Sequence, residues 1–292
     1  MALSGVLTAL ATPFRDGHVD EEAFRSFIEW QIEQGVHGLV PCGTTGESAT
    51  LSHDEHEAVI RICVDQTRGR VPVFAGSGSN NTVEAIRLTQ FAKDAGADGA
   101  LLITPYYNRP SQEGLYQHFK AVAEATHFPL IAYTVPARTG CNLLPETVAR
   151  MVRDIPELVA VKEATGNMVQ VGDIIEQSDR RLVMLSGDDF VYLPMLALGA
   201  QGIISVTSNV APALVVALHK AWQCGDREEA RRLHYRLMPL NRALFLETNP
   251  QPVKMALGLM GKMTGDLRLP MYQIAEANQK TLRQTMLEAG IL

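Results

Sequence analysis

The residue best placed to do covalent chemistry in this sequence is Lys162, at the end of a short apolar run in the stretch 158–167, LVAVKEATGN. Four apolar residues followed by polar turn residues predict a short buried strand. Side chains alternate faces along a strand, so Ala160, Lys162 and Ala164 share one face, and Val161 and Glu163 the other. Two small neighbours leave a long side chain room. Burial favours a neutral amine, and a neutral amine attacks carbonyl carbon. The stretch also fits a lysine whose stem packs at a strand end while its ammonium reaches water.

Other polar groups cluster where apolar runs stop. Gly43-Thr44-Thr45-Gly46-Glu47-Ser48 places glycines around two threonines just before a helical pattern. Such a turn exposes backbone N–H groups and is sized for a carboxylate or phosphate. A plain tight turn with helix capping reads the same way. Thr104-Pro105-Tyr106-Tyr107-Asn108 closes another run. Tyr133 sits within LIAYTV, where a phenol packs as core or passes protons to a substrate held nearby. Arg138 follows Pro136-Ala137 and suits two-pronged carboxylate binding, or is an exposed loop arginine. Ser186-Gly187-Asp188-Asp189 ends a further run. Adjacent carboxylates can bind Mg²⁺, but neighbours on a strand face opposite ways and no third ligand is evident, so no metal is expected.

Eight apolar runs predict strands, at 6–12, 38–42, 71–75, 99–103, 129–135, 158–162, 182–185 and 202–206. Amphipathic helical patterns lie between them. The pattern at 21–34 puts Phe24, Phe27, Ile28 and Ile32 on one face, and those at 52–67 and 82–95 have Ser52 and Thr82 as N-caps. Eight strand–helix units in roughly 200 residues are the mark of a closed (β/α)8 TIM barrel, whose chemistry sits at the C-terminal strand ends. A doubly wound sheet would carry G-x-G-x-x-G after its first strand, where this chain has Thr-Pro-Phe. Beyond about residue 211 only helical patterns remain, at 211–224, 227–247, 252–260 and 274–289. We expect an α/β barrel over 1–224 and a small C-terminal α-helical domain over 225–292.

Composition bounds the function. The 292 residues are 46% hydrophobic and 20% charged, an ordinary globular balance, with net charge −6. A mildly acidic surface argues against nucleic-acid or anionic-membrane partners. No apolar run reaches the ~18 residues that span a bilayer. The apolar start, MALSGVLTALATPF, lacks a preceding Lys or Arg and reads as a first strand rather than a targeting segment. Cys42, Cys63, Cys141 and Cys224 form no C-x-x-C pair, so a reducing cytoplasm is the expected compartment. Cys42 lies by a glycine turn and reads as a small buried thiol more readily than as a nucleophile.

A lysine on the sixth strand, a tyrosine on the fifth and an anion cradle on the second suit one reaction type. A 2-oxo acid is held by its carboxylate, and its carbonyl condenses with the lysine to an imine. The protonated imine is an electron sink, so the adjacent methyl loses a proton and becomes a carbon nucleophile. No cofactor or metal is needed.

The motifs GTTGES (43–48), YTVPART (133–139), VKEATGN (161–167), SGDD (186–189), NPQPVK (249–254) and LRLPM (267–271) stand in an order and spacing that resembles the pyruvate-dependent class I aldolases, the group of dihydrodipicolinate synthase and N-acetylneuraminate lyase. Two features resemble the synthase branch: Thr44, where the lyases usually carry Ser, and Arg138, which they lack. The resemblance implies a lyase that condenses pyruvate with L-aspartate 4-semialdehyde, the first committed step towards diaminopimelate and lysine. It makes Lys162 the imine-forming residue and Tyr133 the proton donor and acceptor, relayed through Thr44 and Tyr107, the last reaching in from a neighbouring subunit. Thr45 binds the pyruvate carboxylate, Gly187 and Ile204 line the substrate site, and Arg138 binds the carboxylate of the second substrate. It further implies a homotetramer, a dimer of tight dimers, and a lysine-inhibition site at Ser48, Ala49, His53, His56, Asn80, Glu84 and Tyr106, where a solvated helix surface is the alternative. His53 and His56, three apart on a helix, have no third ligand for a metal. One departure stands out: Ala137 replaces the family's usual glycine, which matters if that position needs positive φ. Rival readings are a related aldolase acting on a sugar acid, distinguished by Arg138, and a non-catalytic 2-oxo-acid-binding barrel, which has no need of Tyr133, Thr44 and Lys162 together.

Overall fold

The structure, a computed structural model, describes residues 3–179 and 182–292. Met1 and Ala2, the first residues of the apolar start, lie outside them. The chain packs as two compact units, one built on Phe74–Ile204 and the other on Gly5–Val73 with Ser205–Leu292. In chain order the strands are β1 (Gly5–Ala9), β2 (Phe14–Arg15), β3 (His18–Val19), β4 (Gly38–Val40), β5 (Phe74–Gly76), β6 (Gly99–Ile103), β7 (Leu130–Thr134), β8 (Leu158–Glu163), β9 (Val183–Ser186) and β10 (Gly202–Ser205). All eight runs expected to be strands overlap one; β6 has the expected bounds, β1 starts one residue before its run, and β5, β8 and β9 each end one residue past theirs.

In the Phe74–Ile204 unit the strands pair in parallel, β5 to β6, β6 to β7, β7 to β8, β8 to β9 and β9 to β10. Burial on both faces explains their apolar runs: every residue of β7 is buried, and in β8 only Val159 is less than fully so. The register sets Tyr133 of β7 beside Lys162 of β8, and Lys162 beside Leu185 of β9. Helices return the chain between strands, among them Thr82–Asp94, Gln112–Thr126, Pro145–Asp154 and Met168–Gln177.

Asn81, not Thr82, caps the first of these helices. Asn81 has an extended backbone, φ −114°, and its side chain accepts from Val83 N at 3.0 Å. Thr82 is already helical, and its hydroxyl bonds His118 Nδ1 at 3.0 Å instead.

The other unit pairs β1 with β4 in parallel and adds a short antiparallel hairpin, β2 with β3, absent from the sequence reading. Helix Glu21–Glu33 buries Phe24, Phe27 and Ile28, as its spacing requires, and is capped by Asp20. Each such buried side chain contributes about 1.5–3 kcal/mol. Helix His53–Thr67 opens with a complete capping box between Ser52 and Glu55. Helices Pro212–Gln223, Arg227–Ala243, Gln251–Leu259 and Glu276–Glu288 follow residue 211, where no further strand was expected and none occurs among the described residues.

Candidate active site

Lys162 is buried, with 5% of its surface exposed. Burial pulls its amine from an ordinary 10.5 down to about 7. The Asp189 carboxylate opposes the drop and the Arg138 charge adds to it. The strand-end ammonium reaching for water is therefore not what the fold builds. Nζ lies 4.0 Å from the centre of the Tyr133 ring. Tyr133 is itself buried, 6% exposed, so its phenol stands against the amine rather than at the surface.

Gly187 makes room for the lysine stem. A Cβ there would lie 3.1 Å from Lys162 Cγ, 2.6 Å from Ala164 Cβ and 3.0 Å from the Glu163 carbonyl oxygen. The Gly187 N–H donates to that same oxygen at 2.7 Å, so β9's end is drawn onto β8 at the lysine. Ile204, on β10, is fully buried. Asp188 and Asp189 do not sit on a strand with opposed faces, because β9 stops at Ser186. Asp188 instead caps the next turn, accepting from Phe190 N at 2.8 Å, and Asp189 is buried.

Arg138 is exposed on a short helix, Pro136–Thr139, that Pro136 opens. Ala137 is within that helix and is not among the residues of positive φ; Gly140, with φ +72°, takes that conformation three residues later. Alanine at 137 therefore meets no backbone penalty. Tyr107 is 90% exposed and has φ +71°, a conformation costly for an aromatic residue. The turn around it is held by Asn108, which donates to the Asn80 carbonyl at 2.8 Å.

In the other unit, Gly43–Ser48 forms a tight turn with backbone bonds from Gly46 N and Ser48 N to Gly43 O and from Glu47 N to Thr44 O. Cys42 and Glu47 bracket it with φ +56° and +54°. Each left-handed non-glycine residue costs about 1–2 kcal/mol, so the turn is held by contacts beyond its own chain preference. Those contacts went unseen in the sequence. The Thr45 hydroxyl accepts from Asn249 Nδ2 at 3.0 Å, and Glu47 Oε1 accepts from Lys254 Nζ at 2.6 Å, both pairs buried. Asn249 and Lys254 stand in the NPQPVK motif, whose spacing carries no sign of a partner some 200 residues away. Cys42 is buried and burial pushes its thiol up, which leaves it a packing residue.

Of the positions expected to bind lysine, Ser48 and Ala49 lie on the short 3₁₀ turn Ser48–Thr50, and His53 and His56 on the helix that follows. His56 is 6% exposed, so that helix surface is not solvated throughout. In the Phe74–Ile204 unit, Glu84 accepts from Ser79 Oγ, the Asn80 carbonyl holds Asn108, and Tyr106 is partly exposed. No group of three or more His, Cys, Asp or Glu side chains among the described residues is arranged to hold a metal ion.

Parallel strand–helix units carrying a buried lysine of lowered pKa at a strand end beside a tyrosine define a (β/α)8-barrel enzyme with C-terminal helices, the fold it shares with solved relatives. The chain belongs to the dihydrodipicolinate synthetase family, which it matches over residues 2–289. It is 62% identical, over the full length of both chains, to the 4-hydroxy-tetrahydrodipicolinate synthase of Nitratidesulfovibrio vulgaris. The solved chloride-inhibited dihydrodipicolinate synthase of Acinetobacter baumannii complexed with pyruvate is 43% identical, with a TM-score of 0.97 over 100% of both chains. The lysine-bound synthase of Cyanidioschyzon merolae is 39% identical, with a TM-score of 0.96 over 99% of both chains.

Proposed function

We propose that the chain performs the reaction of its relatives, joining pyruvate to L-aspartate 4-semialdehyde through an imine on Lys162 to give 4-hydroxy-tetrahydrodipicolinate. One observation carries the chemistry: a buried lysine held at about 7 beside a buried tyrosine. At neutral pH a large fraction of such an amine is unprotonated and nucleophilic.

The amine adds to the pyruvate carbonyl carbon, and loss of water leaves the protonated imine. The methyl group gives up a proton to form the enamine, whose carbon attacks the aldehyde carbon while the aldehyde oxygen takes a proton. The amino group of the adduct adds to the imine carbon and displaces the Lys162 amine, which closes the ring and frees the lysine. Tyr133 exchanges these protons, with Thr44 and Tyr107 as relay. The strained, 90% exposed Tyr107 supports a phenol offered to a second copy of the chain, which makes the dimer a requirement for turnover. Thr45 binds the pyruvate carboxylate, Gly187 and Ile204 line the substrate site, and Arg138 binds the carboxylate of the aldehyde substrate. The chemistry calls for no metal or cofactor.

The same reading assigns residues 1–224 to the catalytic barrel and 225–292 to a helical appendage, in a cytoplasmic homotetramer. Four free cysteines accord with a reducing compartment. Lysine is the expected inhibitor at Ser48, Ala49, His53, His56, Asn80, Glu84 and Tyr106, a reading supported by the lysine-bound relative.

The test is turnover of pyruvate with L-aspartate 4-semialdehyde, run beside N-acetylneuraminate cleavage and a sugar-acid aldol reaction. Synthase turnover abolished by Arg138→Ala is expected. Turnover of the sugar acid alone would transfer the chain to the rival aldolase reading.

A further inference from the structure

The GTTGES turn is fastened at three points. Thr12 Oγ1 donates to the Gly46 carbonyl at 2.7 Å. Asn249 Nδ2 donates to the Thr45 hydroxyl at 3.0 Å. Lys254 Nζ donates to Glu47 Oε1 at 2.6 Å, and the two side chains are 0% and 1% exposed. Around this ion pair the shell is closed. Lys254 Nζ stands 3.9 Å from the Phe14 ring centre, the Arg268 guanidinium 4.2 Å from it, and the Arg268 backbone N–H donates to Glu47 Oε2 at 3.3 Å.

A buried ion pair is an inefficient way to stabilise a fold. Two charges lose their water, and a well-packed apolar pair of the same volume serves as well or better. What the pair supplies is direction: it fixes Glu47 in a left-handed conformation that a glutamate disfavours. Glu47 is two residues beyond Thr45. The Glu47 N–H donates to the Thr44 carbonyl, so the angle of the turn is set from Glu47 backwards. An anion cradle works only while its N–H groups converge on one point.

We propose that Lys254, through Glu47, and Asn249, through the Thr45 hydroxyl, are positioning residues for the substrate carboxylate. They hold the 43–48 turn in its anion-binding shape from the segment 249–268. This rests on the assignment of that turn as the pyruvate carboxylate site. It gives the NPQPVK and LRLPM motifs a task at the substrate, exerted through their bonds to the 43–48 turn. A loosened turn then weakens pyruvate binding and leaves the Lys162 amine and the aldehyde site as they were.

The experiment is the double substitution Glu47→Gln with Lys254→Met in the full chain. Both replacements keep the volume and leave no charge buried alone, so the fold is expected to hold. Half-saturating pyruvate is read from borohydride trapping on Lys162, and KM for each substrate from initial rates. Half-saturating pyruvate should rise about tenfold or more, with full trapping at saturation and the aldehyde KM within about twofold. Parental half-saturation overturns the proposal, as does a fall in kcat with pyruvate affinity unchanged. Asn249→Ala leaves the ion pair in place and carries the same expectation, so it decides the matter should the double variant not fold. A parent chain that pyruvate never labels overturns the functional reading itself, a result separate from an unshifted variant.

Discussion

Lys162 and Tyr133 are register partners on neighbouring parallel strands, and the lysine nitrogen lies 4.0 Å from the tyrosine ring centre. Adjacent strands place the two side chains on one face, so amine and phenol meet without help from a flexible loop. Replacing Tyr133 by Phe keeps the ring that packs on the amine and removes only the hydroxyl. Melting temperature should stay near the parent's, while turnover falls by about 10²–10⁴. Near-parental turnover in this variant would remove Tyr133 from the proton path.

Activity should follow the protonation of Lys162. Burial lowers the amine to about 7, so below that pH the lysine is a cation and cannot attack, and above it the nucleophile predominates. The rate of imine formation at low pyruvate is expected to climb through about pH 7 and level off above it. A climb that continues towards the ordinary 10.5 of an exposed lysine would contradict the burial account.

Gly187→Ala should injure the site by crowding. The new methyl meets Ala164 Cβ at 2.6 Å and the Glu163 carbonyl at 3.0 Å, neither of which is the end of a flexible chain. We expect a stability loss of about 1–3 kcal/mol and imine formation slower by about tenfold or more as Lys162 is displaced. Thermal melting and the trapping rate check both, and a variant matching the parent in each would show that the strand ends yield freely.

How far the sequence was legible depends on the range of each signal. Apolar period and cap chemistry are local, so all eight parallel strands and the Ser52 cap could be read directly. The two-residue strands Phe14–Arg15 and His18–Val19 are too short to show a period. Asn81 and Thr82 are both good caps, and only backbone geometry separates them. Lys162 stood out because small residues flank it. Lys254 did not, since a lysine on a helix ordinarily points to water, and its partner Glu47 is 207 residues away.

Glu55 and Arg268 tie the helix start at 53 to the chain beyond 260. Arg268 NH1 lies 2.7 Å from Glu55 Oε2 and 3.0 Å from the Thr50 carbonyl. The arginine holds the Glu55 carboxyl down at about 2 from an ordinary 4.5. A lowered carboxylate stabilises the fold above its unfolded pKa and loses that contribution as pH falls through the folded one. Arg268→Ala should therefore cost about 1–3 kcal/mol near neutrality, and part of the gap to the parent should close between pH 4.5 and 2. A gap independent of acid would assign the loss wholly to the Arg268 backbone-carbonyl contacts.

The central claim is that Lys162 carries the substrate as an imine. The protein is incubated with pyruvate, reduced with borohydride and digested, and the mass of the peptide bearing Lys162 is measured. We predict that this peptide alone gains the mass of the reduced pyruvate adduct, and that Lys162→Met abolishes the gain. An unmodified Lys162, or an adduct on another lysine, would contradict it.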